Sequence, residues 1–396
     1  MLTKAFIPYQ GYYSTPFSRW QGTMANENSI VLAANTSSRW FTRKNWDPKM
    51  FDYLFLGITI HQLHGFYGGP WAAALMGAPG IPGVILSQAC TTSTTSIFQA
   101  ATGVETGLYQ NAYCLMTDRC SNGPHAVWPN PNGPGGEVIS ENWLMDNFSQ
   151  DPWAKNAMIQ TAENVAKETG IKREECDAVT LRRYEQYMDA FADDKAFKKR
   201  YLFPAEVRIS KKEVKLVEDD EGIMPTTAEG LAGLRPVVPD GVHTFGSQTH
   251  PADGNCGLAI TTREKAKELS ADPKIEVQVI SFGYARTKKG FMAMAVVPAA
   301  QMALDKAGIT VKDVKTIKTH NPFAANDIYM ARQMNIDVNS FNNYGSSLIF
   351  GHPQAPTAGR LLIEGIEETA MAGGGYLLLG GCAAGDTAAG LVLKVG

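Results

Sequence analysis

Two segments of this chain share one layout, and positions 90 and 352, which are 262 residues apart, occupy equivalent places in it. In the first, the β-branched run Val84-Ile85-Leu86 enters the turn Ser87-Gln88-Ala89-Cys90. A Thr/Ser-rich helix start, a helix, the apolar strand Ala112 to Met116 and Cys120 follow. In the second, Leu348-Ile349-Phe350 enters Gly351-His352-Pro353, then a helix, the strand Tyr376 to Leu379 and Cys382. Cys90 to Cys120 and His352 to Cys382 are each thirty residues. This spacing predicts a duplicated strand–turn–helix–strand unit whose two sharp turns carry a thiol and an imidazole toward one cleft. With a second thiol, these are the parts covalent acyl transfer needs.

The 396 residues, 44% of them apolar, leave room for several packed layers and exclude a small binding module. A net charge of −3 offers no basic surface for nucleic acid. Six cysteines without a CxxC pair fit neither a zinc site nor a disulfide framework, and read as reduced thiols. The N-terminus has no signal-peptide pattern and no run reaches the ~20 apolar residues of a membrane span. A soluble, cytoplasmic protein is expected.

Both ends of the chain, about residues 1–120 and 271–396, alternate short apolar strands with Ala- and Gly-rich helices, the pattern of α/β layers. Between them, 121–243 reads as an insertion capping the core, with pairing resuming over 244–270. Its Pro- and Gly-rich opening, 121–134, is expected to hold neither helix nor strand. Amphipathic helices over Met158–Thr169 and Glu174–Phe191 and a charged strand-like run from Val207 to Val217 follow. Beyond the insertion, a strand over Ile275–Phe282, a helix over Val296–Ala307 ended by Gly308, and a strand over Val314–His320 are expected.

An isolated cysteine is more often a small core residue than a nucleophile. Cys90 is different because it follows a strand read as buried and opens a helix, whose free N–H groups and positive end favour thiolate. The run Thr91 to Ser96 adds small polar groups that packing alone does not demand. His352, between Gly351 and Pro353, is held in a turn, and His320 ends a strand before Asn321-Pro322. Either histidine alone could be structural, and Cys382 alone would more often be core.

Taken together, these residues resemble the thiolase superfamily along the whole chain. Ser14 to Arg19 resembles its opening turn, Gln88-Ala89-Cys90 its nucleophile turn, and Thr161 to Ala166 with Arg173-Glu174-Glu175 its loop-domain helices. His320 to Ala324 resembles its Asn/His-x-x-Phe motif, Gly351-His352-Pro353 its GHP motif, and Gly381-Cys382 its second-cysteine motif. The resemblance implies a five-layered αβαβα core of two similar halves with an inserted loop domain. It implies an acyltransferase in which Cys90 is acylated, His352 takes its proton and Cys382 is the acid/base toward the second substrate. His320 with His352 would line one oxyanion hole, and the backbone N–H groups of Cys90 and Ala384 the other. Coenzyme A is then a co-substrate, contacted by Met158, Ser247, Thr249 and His250, with no resident cofactor and a homodimer at least.

Several positions depart from the common pattern: Ala157 replaces a family histidine, Thr249 the usual serine and His250 the usual glycine, and Asp386 adds an acid after the second cysteine. These departures, with His320-Asn321-Pro322-Phe323, resemble the divergent thiolases that work with a small zinc-ribbon/OB-fold partner, and among them the type that cleaves benzoylsuccinyl-CoA. Phe66, Tyr67, Trp71, Phe323 and Phe350 are candidates for an aromatic acyl pocket, against the plainer reading of core aromatics. His61 and His64 have helical i, i+3 spacing but no third ligand, so no metal is expected. Lys198, Lys199, Arg200, Lys211, Lys212 and Lys215 are phosphate-binding candidates that read more simply as a solvated face. Two other functions remain open from sequence: a decarboxylating ketoacyl synthase, which the second thiol argues against, and a non-catalytic acyl/lipid carrier or scaffold, which would have no need of all four residues.

Overall fold

The computed structural model describes residues 1–396. The first half holds β1 (Phe6–Ile7), β2 (Tyr12–Ser14), β3 (Ser18–Arg19), α1 (Ser29–Lys44), β4 (Tyr53–Gly57), α2 (Gly68–Leu75), β5 (Gly83–Leu86), α3 (Thr92–Thr106) and β6 (Asn111–Arg119). After β6 come β7 (His125–Pro129), β8 (Val138–Asn142), α4 (Met145–Ser149), α5 (Met158–Thr169), α6 (Arg173–Asp189), α7 (Ala192–Lys199), β9 (Ala205–Arg208), β10 (Val214–Val217) and α8 (Ala228–Ala232). The chain then returns through β11 (Ala252–Thr261) and α9 (Arg263–Leu269). It ends with β12 (Val277–Arg286), α10 (Val296–Ala307), β13 (Val314–His320), α11 (Ala324–Met334), α12 (Ser347–Phe350), α13 (Ala355–Met371), β14 (Gly375–Ala383) and β15 (Thr387–Val395).

The main sheet runs β13-β14-β15-β12-β1-β11-β6-β4-β5. Each half combines parallel pairs near its outer end, β4 with β5 and β6 or β13 with β14, with antiparallel pairs toward the middle. Short β1 pairs with both β11 and β12 and joins the halves. Helices α3 and α13 pack on each other and on strands of both halves, α1 and α2 cover the outside of the first half, and α10 that of the second. This is the αβαβα layering that the resemblance implies.

Layer position explains composition. A strand covered on both faces reads as an unbroken apolar run, as Leu377-Leu378-Leu379 and Leu391-Val392-Leu393 do. Helix α13, in the middle layer, is buried all round. Its polar residues are therefore paired: Arg360 with Asp220 (Nη2–Oδ2, 2.9 Å) and Glu364 (3.0 Å), and Glu367 with Tyr9, Tyr12 and Arg200 at 2.9, 2.7 and 2.6 Å. Asp220 lies between β10 and α8, so a buried ion cluster ties that segment to the middle helix. Close layering also fixes Gly283 on β12, where a Cβ would lie 2.1 Å from the Ala299 carbonyl of α10.

The structure corrects five expectations about local structure. Leu348 to Phe350 is one helical turn, not a strand, so the two repeated units differ just before their turns; three apolar residues cannot distinguish the two states. Residues 121–134 are not free of strand, since β7 pairs with β8 in an exposed hairpin with Pro129 at its end, where a missing N–H is tolerated. The Val207–Val217 run folds back on itself as the hairpin β9–β10. The strand before Cys90 is not buried: β5 is the sheet edge and Ile85 is 39% exposed. His61 and His64 are not on a helix; His64 takes a left-handed backbone and the His61 ring packs on Trp143.

Candidate active site

Cys90 sits on a tight turn between β5 and α3. Ala89 adopts φ 44°, and Thr92 braces the turn by accepting from Gln88 N (2.8 Å) and donating to the Ala89 carbonyl (2.7 Å). Ser93 donates to the Ala355 carbonyl at the start of α13. The Thr/Ser run thus serves as the joint between the two middle-layer helices.

The matching turn in the second half depends on Gly351. Its φ is 89°, and an added Cβ would meet His250 Cε1 at 2.6 Å and Ala252 Cβ at 2.9 Å, so only glycine fits. His352 N donates to the His250 carbonyl at 2.8 Å, and His352 Nδ1 is 2.6 Å from Thr357 Oγ1. Its Nε2 is buried with no partner. Ala355 N is anchored by Asp118 Oδ2 at 2.8 Å, and that carboxylate also receives Thr59 N and Ile60 N at 2.9 and 2.8 Å. Burial nevertheless pushes Asp118 up to about 7.

His320, at the end of β13, is oriented by a relay. Asp327, ion-paired to Arg183 at 2.9 Å, accepts from Asn321 Nδ2 at 2.7 Å, which turns Asn321 Oδ1 toward Ser347. Ser347 Oγ donates to that oxygen at 3.1 Å and lies 2.8 Å from His320 Nδ1. Ser347 Oγ also accepts from Asn321 N at 3.2 Å and Asn321 Oδ1 from Leu348 N at 3.1 Å, so the ring is held in place whichever nitrogen carries the proton. His320 Nε2 is buried with no partner in the protein.

Cys90 Sγ and one ring nitrogen each of His320 and His352 lie within 4.8 Å of one another. The thiol donates to Gln354 Oε1 at 3.3 Å. Backbone N–H groups of Ala384 and Cys90 favour its thiolate, but burial outweighs them and pushes the thiol up to about 12, so the helix start does not make a resting thiolate. Burial also pushes His320 down to about 3 and His352 well below the usual imidazole range, so both are neutral. Cys382 Sγ receives Asn326 Nδ2 at 3.2 Å and is held high by burial and by nearby Cys90.

These groups open on a cavity of about 320 Å³ lined by Cys90, His352, Gln354 and Ala384 with an apolar wall that includes Phe148, Met158, Ile159, Val237, Met292 and Phe323. Of the cofactor-binding candidates, Met158 and Thr249 line it, although the Thr249 hydroxyl already donates to the Ser347 carbonyl. Ser247 is wholly buried and braces Thr244 N at 2.9 Å, while His250 lines a separate cavity of about 330 Å³ beyond the 246–250 segment. Among the aromatic candidates only Phe323 reaches this cavity; Phe66 and Tyr67 are exposed, Trp71 packs on the core beside α1, and Phe350 is core beside Phe17.

The basic cluster is not a solvated face throughout. Lys198 is buried against Asp220 at 3.3 Å, and Lys199, Arg200 and Lys215 pair with Asp194, Glu367 and Glu221. Sequence reasoning missed Gln354, Asn326, Thr357, Ser347 and Asp118. The available signal was a polar residue beside each motif residue, most visibly Gln354 directly after Gly351-His352-Pro353.

Comparison with known proteins comes to the same place. Residues 11–264 match the family model "Thiolase, N-terminal domain" and 273–395 match "Thiolase, C-terminal domain". The chain is 23% identical over 385 residues to the Homo sapiens mitochondrial 3-ketoacyl-CoA thiolase, covering 96% of each. It is 29% identical over 306 residues to the Bacillus subtilis 3-ketoacyl-CoA thiolase, covering 74% of each. Among solved structures, the Bacillus anthracis acetyl-CoA acetyltransferase superposes with a TM-score of 0.91 at 23% identity, covering 100% of this chain and 99% of that one. Human mitochondrial 3-ketoacyl-CoA thiolase in complex with CoA superposes with a TM-score of 0.88 at 23% identity, covering 99% and 98%.

Proposed function

The chain belongs to the thiolase family of acyltransferases, and from that premise we propose that it cleaves a 3-oxoacyl-CoA with CoA, or runs the reverse condensation, through an acyl group on Cys90. The observation that carries this reading is the convergence of Cys90, His320 and His352 within 4.8 Å, with Cys90 and His352 lining an apolar cavity. Cys382 lies close enough to Cys90 to be perturbed by it.

In the forward direction the Cys90 proton passes to His352 Nε2, and the thiolate attacks the 3-keto carbon. Thr357 keeps the His352 lone pair aimed inward. The backbone N–H groups of Cys90 and Ala384 face Sγ and suit the developing oxyanion; one such donor is typically worth on the order of 10²–10³ in rate. Cleavage of the C2–C3 bond leaves a carbanion that takes the Cys382 proton. The Cys382 thiolate then deprotonates CoA, which attacks acyl-Cys90 and releases the second thioester. His320 Nε2, buried without a partner, is the further donor to the developing oxyanion in the tautomer whose Nδ1 accepts from Ser347.

For the substrate we favour an aromatic 3-oxoacyl-CoA, benzoylsuccinyl-CoA, because Phe148, Phe323, Ile159 and Met292 give the cavity a broad apolar wall. We assign Met158 and Thr249 to the CoA arm, and assign the open edge of β5 to pairing with a second copy. No helix is long and apolar enough to cross a membrane. The test is CoA-dependent consumption of a panel of linear, branched and aromatic 3-oxoacyl-CoA esters by wild type and Cys90→Ser, with and without a co-expressed zinc-ribbon/OB-fold protein. Cleavage of the aromatic ester by wild type alone supports the full reading. Cleavage of linear esters only keeps the reaction and removes the substrate, and a requirement for the added protein establishes the partner.

A further inference from the structure

In the free protein the Cys90 thiol is not engaged with its base. Sγ donates to Gln354 Oε1 at 3.3 Å, and the same amide lies beside His352, whose Nε2 makes no full hydrogen bond although it belongs to the cluster within 4.8 Å. Gln354 is 4% exposed and lines the catalytic cavity, and its Nε2 makes no hydrogen bond within the protein. Its backbone is held at φ 63°, ψ −101°, a region that disfavours any residue with a Cβ. The following residue is fixed at both ends, Ala355 N on Asp118 and the Ala355 carbonyl on Ser93, which holds the strained turn while the amide lies on the nucleophile.

An amide offers two faces. Its oxygen suits a neutral thiol, because only S–H donates, and its free nitrogen suits a carbonyl oxygen. We propose that Gln354 is a positioning residue that parks the Cys90 proton away from His352 in the free enzyme and releases it when a thioester substrate's carbonyl takes the amide's Nε2–H and turns the side chain away from Sγ. On release the S–H proton moves to His352 Nε2 and the sulfur lone pair forms the new C–S bond, so no further reactant is needed. The nucleophile is thus armed by the substrate and stays protonated otherwise, in keeping with a thiol that burial already holds high. This rests on the thiolase reading and adds to it a control on the resting thiol.

The test compares wild type with Gln354→Met, which keeps length and loses both faces, and with Gln354→Gly, which also relaxes the turn. Two rates are read: alkylation of Cys90 by iodoacetamide against pH with no substrate present, and kcat for thiolysis. Loss of an acceptor for the neutral thiol should move the alkylation profile to lower pH in both variants by about one unit, roughly tenfold faster at fixed pH. In the same proteins kcat should fall about tenfold or more. Opposite directions with an unchanged high-pH plateau of alkylation are the signature, since a merely loosened turn would raise the plateau of a buried thiol without moving its profile along the pH axis. An alkylation profile in Gln354→Met that superimposes on wild type, or rates that fall together, overturns the proposal. Alkylation needs no thioester, so a wild type that cleaves no substrate would count against the thiolase reading while the thiol-parking comparison still gives its own answer.

Discussion

His320 and His352 face each other with ring centroids 4.1 Å apart and planes 34° apart, each with its Nδ1 on a buried hydroxyl and its Nε2 unpartnered. Two buried neutral imidazoles at this distance cannot both ionise, and that makes the site acid-sensitive. His320 has its folded pKa lowered to about 3, so its contribution to stability is complete above the unfolded value near 6.5 and is lost as pH falls toward 3. At pH 5 this histidine alone should cost roughly 2 kcal/mol relative to pH 7. Urea midpoints at the two pH values should therefore differ less in His320→Asn than in wild type. An equal drop in both would remove this histidine from the acid response.

The Thr357 hydroxyl is the one side-chain partner of His352 Nδ1. In Thr357→Val the ring loses its orientation and a buried ring N–H is left unpaired, at a cost of about 1–3 kcal/mol. Thiolysis should lose about 10–100-fold in kcat, with KM little changed. Steady-state kinetics alongside a thermal melt checks this.

At Gly351 the backbone φ of 89° and the contacts awaiting a Cβ act in the same direction. Gly351→Ala should destabilise by about 2 kcal/mol or more and displace His352. Denaturant unfolding measures the first effect and loss of turnover at full folding the second.

Asp220 is wholly buried between Arg360 and Lys198, and these cations hold its carboxyl well below the usual range against the opposing pull of burial. A depressed carboxylate contributes stability above its unfolded pKa near 3.9 and loses it below. Asp220→Asn leaves buried Lys198 without its counter-ion and Arg360 with Glu364 alone, and should cost about 3–5 kcal/mol at pH 7. The gap from wild type should narrow as pH falls below 4, as urea titrations at pH 7 and pH 3.5 would show.

The residues that sequence made legible are those whose role is local. Cys90, His352 and Cys382 stand at turns or strand ends marked by neighbouring Gly, Pro and Thr, and the helices Met158–Thr169 and Val296–Ala307 and the strand Val314–His320 end where their patterns end. What escaped depends on partners distant in the chain. The His320 ring is oriented by Ser347, 26 residues past Asn321, and by Asp327. Lys198 looked solvent-facing because its partner Asp220 belongs to a later loop packed under α13. The thiol of Cys90 looked activated because a helix start favours charge, while the burial that outweighs it comes from layers a linear pattern does not show. Leu348 to Phe350 reads as strand by composition and is turned into a helix by the Gly351 bend.

The most direct test of the central claim is intact-protein mass spectrometry after brief mixing with a 3-oxoacyl-CoA, comparing wild type with Cys90→Ser. The expected result is a mass increase equal to one acyl group on wild type, localised to Cys90 by peptide mapping, removed by added CoA and absent from the variant. An unlabelled wild type across linear, branched and aromatic thioesters, or an adduct that persists in Cys90→Ser, would contradict the acyl-Cys90 account.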